Sequence, residues 1–510
     1  MRGLRGAVVA IGACLVGMLV LGGPLARADG GPAGADLAVA QSLGDRELTV
    51  IVRRVEPVPG PLRVEIVTHA GTAPGMLALD AIPVDRAGPG SSATVELTDR
   101  AGPHPATLRV DHAGPWELTV GDGERVARIP FLVAAPVVTP WERAAYGGFV
   151  AAGALLLVSI GTALISRRGW PTLLPAGAMV AALAVGVTGA VLSGSAPAPR
   201  PAGSLLDPTS DSIGDPYPER DLPTTTNYSR PPVNLALHTR ASAETSRPTE
   251  LTLSLIDGAT GRPVDDLLAV DDALMHLMVV GPSGRLWHRH PIRTAPGTFE
   301  VELALPEPGD YAVAAEIGRR GGGLQLLRSA LRVGGAPRPV ENASGTASPA
   351  PPLPVRTADD TPGPSVAPPA DAASHAANSA TPPTETSLTA TDLVAGVPGT
   401  LTAHFGGGAD LQPWLGMAGH LIAVGPLPDG PPAGTAATTA PVWAHAHAMP
   451  PMLGPGAQAP DETVAAYGPD VAFTYTFPLP GRYLVWAQAE RGYAVLTVPA
   501  VIDVKAEVPQ

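Results

Sequence analysis

Residues 275–282 read Met-His-Leu-Met-Val-Val-Gly-Pro, and residues 419–426 read Gly-His-Leu-Ile-Ala-Val-Gly-Pro. Each stretch is followed by a His-x-His pair, at 288–290 in the first case and at 445–447 in the second. Each then closes on a Pro-Gly-x-Tyr sequence. Because three motifs recur in the same order, we infer two copies of one domain. The copies differ mainly at 428–441, where the second has a longer Gly/Pro/Thr-rich turn.

Short apolar-alternating runs separated by Gly/Pro turns surround these motifs, and the same pattern fills an earlier stretch of the chain. Such runs are typical of antiparallel β-sandwiches. Glycine and proline, at 59 and 60 of 510 residues, favour turns and short strands over long helices. The sequence therefore predicts an all-β protein with three sandwich domains, at 36–136, 229–334 and 386–505.

Two apolar regions lie outside these domains. Residues 1–28 have a basic start, an apolar run and an Ala-x-Ala end, which predicts a cleaved signal peptide; the alternative is an uncleaved anchor helix. Residues 144–192 contain two uncharged runs, which predict a two-helix transmembrane hairpin; the alternative is a buried hairpin in a soluble protein. Arg167 and Arg168 between the runs place that loop in the cytoplasm and both flanking regions outside.

Two segments read as linkers. Residues 193–228 are polar and rich in Pro, Ser, Thr and Asp, as expected of a spacer leaving the membrane. Residues 335–385 are rich in Pro, Ala, Ser and Thr and are predicted to be disordered or extended, because they bury too little apolar surface to offset the entropy of ordering.

Composition excludes several classes of function. The net charge of −13 argues against nucleic acid as a partner, since phosphate binding needs clustered Lys and Arg. Cys14 is the only cysteine, so neither a disulfide framework nor a Cys-based zinc site is expected. We find no nucleophile elbow, phosphate-binding loop or metalloprotease helix motif, so we do not expect an enzyme. A metalloenzyme with an open three-histidine site is the weaker alternative.

Six of the twelve histidines occupy matched positions in the two copies, with methionines close by. Imidazole and thioether groups without thiolate favour copper, and three imidazoles plus water would also suit zinc. Asp271 and Asp272 precede the first motif and could assist. The candidate metal ligands are His276, His288, His290, His420, His445, His447, Met275, Met417 and Met449. In the alternative interpretation the histidines are structural and the domains form a non-metal module that binds a neighbouring envelope protein.

Strand register decides whether the first three histidines meet. His288 and His290 lie on one face of a strand, about 6.5–7 Å apart. His276 shares that face only if it pairs with an even-numbered residue, which requires a three-residue loop or a bulge near Gly281–Gly284. The sequence leaves both registers open.

The C-terminal half resembles exported bacterial domains that overlap the YtkA-like group. The resemblance lies in Met275-His276-Leu277, His288-Arg289-His290-Pro291 and the Pro-Gly-x-Tyr closure. It implies Ig-like or cupredoxin-like sandwiches, a heavy-metal association through the six matched histidines, and a metal-handling envelope protein as partner. The second copy departs from the pattern at Gly419 and Ala448, which replace Met275 and Pro291 of the first.

Overall fold

The computed structural model contains two compact units, a helical hairpin and a body of three β-sandwiches, which confirms the predicted all-β class with a helical hairpin. The described residues are 36–133 (without 54, 56, 57, 85 and 87), 140–166, 170–194, 231–337 (without 320 and 321), 353–354, 356–357, 386–448 and 462–507. The predicted signal peptide, the loop with Arg167 and Arg168, most of both linkers and Met449 lie outside them.

The hairpin consists of helices α1 (Pro140–Ile165) and α2 (Leu173–Gly194), the latter preceded by one 3₁₀ turn at Trp170–Thr172. The 26 residues of α1 extend about 39 Å, more than the roughly 30 Å of a bilayer core. A Cβ built at Gly189 would lie 2.6 Å from the Ala145 nitrogen, so small residues let the two backbones touch. Both helices are long and apolar enough to cross a membrane.

The first sandwich consists of two four-stranded antiparallel sheets, in the orders β1-β2-β3-β6 and β5-β4-β7-β8. Along β3, Leu62, Val64 and Ile66 point inward and are buried, whereas Arg63 points outward, as the alternating sequence predicts. The strands are Leu37–Leu43 (β1), Arg46–Val52 (β2), Gly60–Thr68 (β3), Gly75–Pro83 (β4), Ser91–Leu97 (β5), Gly102–Val110 (β6), Gly114–Gly121 (β7) and Val126–Val133 (β8).

The second sandwich, the first repeat, pairs the sheet β14-β15-β10-β9 with the sheet β11-β16-β12-β13, to which β17 adds beside β16. Its buried apolar side chains form one continuous core with those of the first sandwich. The strands are Val233–Thr239 (β9), Thr249–Asp257 (β10), Leu267–Leu268 (β11), His276–Val280 (β12), Leu286–Arg289 (β13), Ile292–Ala295 (β14), Thr298–Leu303 (β15), Gly309–Arg319 (β16) and Gly323–Val333 (β17).

The third sandwich, the second repeat, has sheets in the orders β18-β26-β25-β22-β23 and β19-β20-β21-β24. The two short strands β18 and β19 come from the predicted linker, so these four residues are paired in sheets rather than disordered. The elements are Leu353–Pro354 (β18), Arg356–Thr357 (β19), Ser387–Ala390 (β20), Pro398–His404 (β21), Gly419–Gly425 (β22), Ala433–Thr439 (α3), Val442–Ala448 (β23), Asp470–Thr476 (β24), Gly481–Arg491 (β25) and Ala494–Val504 (β26).

The two repeats place their shared motifs alike. Strand β12 lies between β13 and β16, and β22 lies in the same way between β23 and β25. Each His-x-His motif therefore follows the strand that carries the first histidine and pairs with it from the same side. The Pro-Gly-x-Tyr closure is structural in both copies, because Tyr311 donates to the Glu307 carbonyl at 2.9 Å and Tyr483 donates to the Leu479 carbonyl at 2.7 Å. These features agree with the inferred duplication.

The extra segment of the second repeat forms α3, which lies against the first repeat. At Gly434 a Cβ would overlap the Asp310 carbonyl oxygen and would lie 3.0 Å from the Gly281 carbonyl carbon. Ala433 also donates its N–H to the Pro282 carbonyl at 2.9 Å. The lengthened turn is therefore an inter-repeat contact, which the sequence did not predict.

Gly434→Ala is expected to lower the unfolding free energy by about 1–3 kcal/mol, because the added methyl group has no room against the backbone of the first repeat. Chemical denaturation of the detergent-solubilised chain measures the change. Gly408→Ala is the matched control, since a Cβ there meets nothing within 4 Å. Equal stability of the Gly434 variant and wild type would contradict the close packing of α3.

Candidate metal centre

A three-residue loop sets the register of the first histidine set. Gly281 donates its N–H to the Arg285 carbonyl at 2.9 Å, and Gly284 turns the chain with φ of +87°. Strand β13 then pairs His288 with Met278, so the even-numbered residues of β12 and β13 share one face. This is the convergent register that the sequence left open. We call His276, His288 and His290 the first triad.

The second repeat repeats this arrangement. Strand β22 pairs His420 with His447 and Ile422 with His445. We call His420, His445 and His447 the second triad. His276 and His420 therefore occupy equivalent positions in the two repeats, and so do the two His-x-His motifs.

Both triads lie on the sheet faces through which the two repeats pack against each other. Leu277 points into the core of its own sandwich, whereas Met278 joins an apolar cluster with Ile422 and Trp486 of the second repeat. The histidines therefore face away from each sandwich core but are covered by the neighbouring repeat. His288 and His420 are fully buried.

Hydrogen bonds fix the protonated nitrogens of the first triad. His276 Nε2 lies 2.9 Å from the Val270 carbonyl oxygen, which can only accept, so Nε2 carries the proton. His288 Nδ1 lies 2.9 Å from Gln488 Oε1, and the Gln488 amide nitrogen donates to Thr497. His288 is therefore protonated at Nδ1. The remaining nitrogens, His276 Nδ1 and His288 Nε2, face each other at 3.3 Å with a lone pair on each.

The second triad has the same pattern. His420 Nε2 donates to the Trp414 carbonyl at 3.0 Å, and His445 Nδ1 donates to Glu316 Oε1 at 3.2 Å. His420 Nδ1 and His445 Nε2 then face each other at 3.1 Å. The acceptors are exchanged between the repeats, because Gln488 of the second repeat serves the first triad and Glu316 of the first repeat serves the second.

This geometry suits a metal ion in each triad. In tetrahedral coordination, two nitrogens at 2.0–2.1 Å from the ion lie about 3.3–3.4 Å apart, close to the separations seen here. In each triad the three candidate ligand nitrogens lie within 4.8 Å of one another. Metal-bound histidines commonly donate their other N–H to a carbonyl or carboxylate, as four of these rings do.

Burial keeps five of the six imidazoles neutral. It removes the solvation that would stabilise the imidazolium, and it lowers their pKa below the ordinary value of about 6.5. Neighbouring imidazoles lower the pKa of all five of these rings further. Neutral imidazole is the form that binds metal ions. The five rings with a lowered pKa are His276, His288, His290, His420 and His445.

Carboxylates approach the two triads unequally. Asp271 Oδ2 of the first repeat lies 3.4 Å from His447 Nε2 in the second triad. Beside the first triad, Glu47 of the first sandwich lies 4.0 Å from His290 Nδ1, but it is also paired with Arg289 at 3.0 Å. Of the two predicted helpers, Asp271 therefore contacts a histidine. The Asp272 carboxyl lies beside Gly416 of the second repeat, and burial and then the charge of Asp271 raise its pKa to about 7.

Of the three methionines predicted as ligands, Met275 does not join a triad. Met275 packs in the core of the first repeat, on the opposite face of its strand from His276. Because successive side chains of a strand alternate, a residue next to a ligand histidine cannot share its face, and the prediction of Met275 as a ligand is wrong. Met417 bonds through its backbone to Trp414 in a tight turn. Met449 lies outside the described residues.

The first sandwich closes one side of the centre. Ser42 Oγ accepts the His290 N–H at 2.9 Å, and the Ser42 N–H donates to the His290 carbonyl at 2.7 Å. Three domains rather than two therefore build the surroundings of the triads.

A separate buried ion pair joins the first sandwich to the second repeat. His69 Nδ1 lies 3.2 Å from Glu490, and its Nε2 lies 4.0 Å from Glu462. Burial acts to lower the His69 pKa, but Glu490, then Glu462 and Glu47, outweigh it and raise the pKa to about 9. Each ring nitrogen faces a different carboxylate, so this arrangement fits an ion-paired structural histidine and not a shared metal ion.

Sequence reasoning missed Glu316, Gln488 and Trp414. The first two carried a signal, because each follows the tyrosine of the repeated Pro-Gly-x-Tyr motif by five residues and interrupts an apolar run. The Trp414 ring packs between the triads, with its centroid 5.4 Å from that of His288 and 4.8 Å from that of His420. Only the folded chain reveals that position.

Comparison with known proteins identifies one domain and no function. Residues 381–506, which contain the second repeat, match a family described as a domain of unknown function (DUF8832). No curated protein matches the chain.

Several solved structures are similar over long stretches but at very low TM-scores. A tetra-tandem repeat from the extending region of a large adhesion protein is 10% identical, with 93% of this chain and 76% of that chain covered and a TM-score of 0.14. A membrane-anchored protein from Corynebacterium diphtheriae is 9% identical, with 90% and 92% covered and a TM-score of 0.14. Scores this low carry no functional argument.

Proposed function

We propose that this chain is a membrane-anchored, extracytoplasmic protein whose paired β-repeats bind transition-metal ions in the two triads. The carrying observation is the pair of facing imidazole nitrogens in each triad, which have lone pairs and are held by outer acceptors on their far sides. Two neutral rings facing in this way gain nothing from each other, whereas an ion between them would bind both. That feature distinguishes the proposal from purely structural histidines.

The ligand set favours Cu²⁺ or Zn²⁺. Because Met275 lies in the core, Met417 and Met449 are the remaining predicted thioether ligands that would favour Cu⁺. Imidazole nitrogens accept both divalent ions. Burial between two domains supports holding an ion rather than turning over a substrate, so we propose a binding role, with a metal-handling envelope protein as the partner that exchanges the ion.

The proposal predicts two ions per chain. After chelator treatment, the detergent-solubilised full chain is titrated separately with Zn²⁺ and Cu²⁺, and bound metal is counted by elemental analysis. Co²⁺ provides a spectroscopic check, because tetrahedral nitrogen ligation gives intense visible bands. No bound ion above a buffer blank would refute the proposal and favour the interaction module with structural histidines.

The proposed orientation rests on the basic loop between the two helices. Protease added to intact spheroplasts should digest all three sandwiches if they lie outside. Protection of the repeats would contradict this orientation without affecting the metal proposal.

A further inference from the structure

The two triads are neighbours, not distant copies. The ring centroids of His276 and His445 lie 4.8 Å apart, and those of His288 and His445 lie 5.1 Å apart. The rings of both repeats therefore form one continuous group. An ion in one triad would lie close to an ion in the other, so the second ion to bind meets the charge of the first.

A tight turn of the same backbone conformation precedes the first histidine of each triad, but the two turns carry different side chains. Val270 and Ala273 close a tight turn in the first repeat, and Trp414 and Met417 close the equivalent turn in the second. The equivalent residues inside the two turns are Asp271, with φ of +47°, and Leu415, with φ of +51°.

These two residues give the triads different fourth neighbours. Asp271 reaches across to His447 at 3.4 Å, whereas Leu415 is fully buried in an apolar cluster with Trp414, Ala40 and Ala273. Among the described residues, only the second triad therefore has a carboxylate of the opposite repeat within 3.4 Å of one of its ring nitrogens.

The net charge around the triads differs in the same direction. Glu316 Oε1 lies 3.2 Å from His445 Nδ1, but Glu316 is also the strand partner of His276, so it lies beside both triads and Asp271 is the carboxylate that distinguishes the second. The carboxylate of Glu47, beside the first triad, is neutralised by Arg289 at 3.0 Å. A divalent cation is therefore stabilised more by the second triad than by the first.

We propose that the six rings form one asymmetric two-ion centre, in which the second triad, with Asp271 as a fourth ligand, takes up the first divalent ion and the first triad binds the second ion more weakly. This inference rests on the proposed metal binding. It adds the order in which the two triads bind their ions and names Asp271 as a fourth ligand of the second triad. Because Asp271 belongs to the first repeat, it also requires that the two repeats be packed together.

Zn²⁺ titration of the full chain by calorimetry tests the order of filling. Wild type should show two steps whose affinities differ at least tenfold. Asp271→Asn should weaken the tighter step by about 10–100-fold or more, as loss of a ligand or its support does, while two ions still bind. Asparagine keeps the size of the side chain and tolerates positive φ, so the turn is preserved.

Asp272→Asn is the matched control, because it removes a neighbouring carboxyl from the same turn and should leave both steps within about twofold. If Asp271→Asn does not fold, Glu316→Gln provides the second test, since it removes charge beside the same triad but keeps an acceptor like that of Gln488. It should also weaken the tighter step.

The outcomes separate the two proposals. Two equal steps in wild type, an unchanged tighter step in both carboxylate variants, or an equal loss in Asp272→Asn would overturn the asymmetric centre and leave metal binding intact. Failure of wild type to bind any Zn²⁺ would overturn the proposed function itself.

Discussion

A chain with His288→Ala and His290→Ala is expected to bind one transition-metal ion where wild type binds two. The substitutions remove two of the three imidazoles of the first triad, and His276 alone cannot hold an ion. The second triad keeps all of its own rings. Elemental analysis after Zn²⁺ or Cu²⁺ loading gives the stoichiometry directly.

The same variant should also lose stability without metal. His288 donates to Gln488 across the interface between the repeats, and alanine would leave that amide oxygen buried without a partner. An unsatisfied buried group costs about 1–3 kcal/mol. The fold should survive this cost, because the rings do not contribute to either sandwich core.

Metal-dependent stabilisation provides an independent measurement. An ion at 1,000 times its dissociation constant adds about 4 kcal/mol to the unfolding free energy for each site. The double variant should lose the contribution of one site. The control replaces two histidines outside the triads, His104 and His112, with alanine and should keep two ions. Two bound ions in the triad variant would show that its histidines are structural.

Much of this architecture could be read from the sequence. Alternating runs predicted the sandwiches, uncharged runs predicted the helical hairpin, and the repeated motifs predicted matched histidines. The face on which a strand residue lies follows from its parity, so the exclusion of Met275 was also readable from its place next to His276.

The remainder depends on contacts between distant parts of the chain. His288 and Gln488 are 200 positions apart, and Ser42 and His290 are 248 apart. Alternation identifies two faces of a strand but not what covers each face. The sequence therefore indicated two sets of matched histidines but not what covers them, whereas docking of the repeats joins them into one buried group.

The pH dependence of metal affinity should distinguish this buried centre from histidines on a surface. Burial lowers the pKa of five of the six rings, so at pH 6.5 they remain neutral where exposed imidazoles would be half protonated. Protons compete with the ion only once the pH falls to the lowered pKa values. Affinity should therefore change little from pH 8 to about 6.5 and fall steeply below it.

The steepness follows from the number of protons displaced. Below its pKa, each imidazole that must release a proton reduces the affinity by about tenfold per pH unit, so three rings give up to about a thousandfold. Burial also raises the pKa of Asp271, so protonation of this carboxyl weakens the second triad in the same direction. Competition for Zn²⁺ against a chelator of known pH dependence, at intervals from pH 8 to pH 5, measures the curve. A loss of about sevenfold already between pH 8 and pH 6.5 is what three exposed imidazoles with a pKa of about 6.5 would give, and it would mean that the buried centre inferred from the packing of the repeats is wrong.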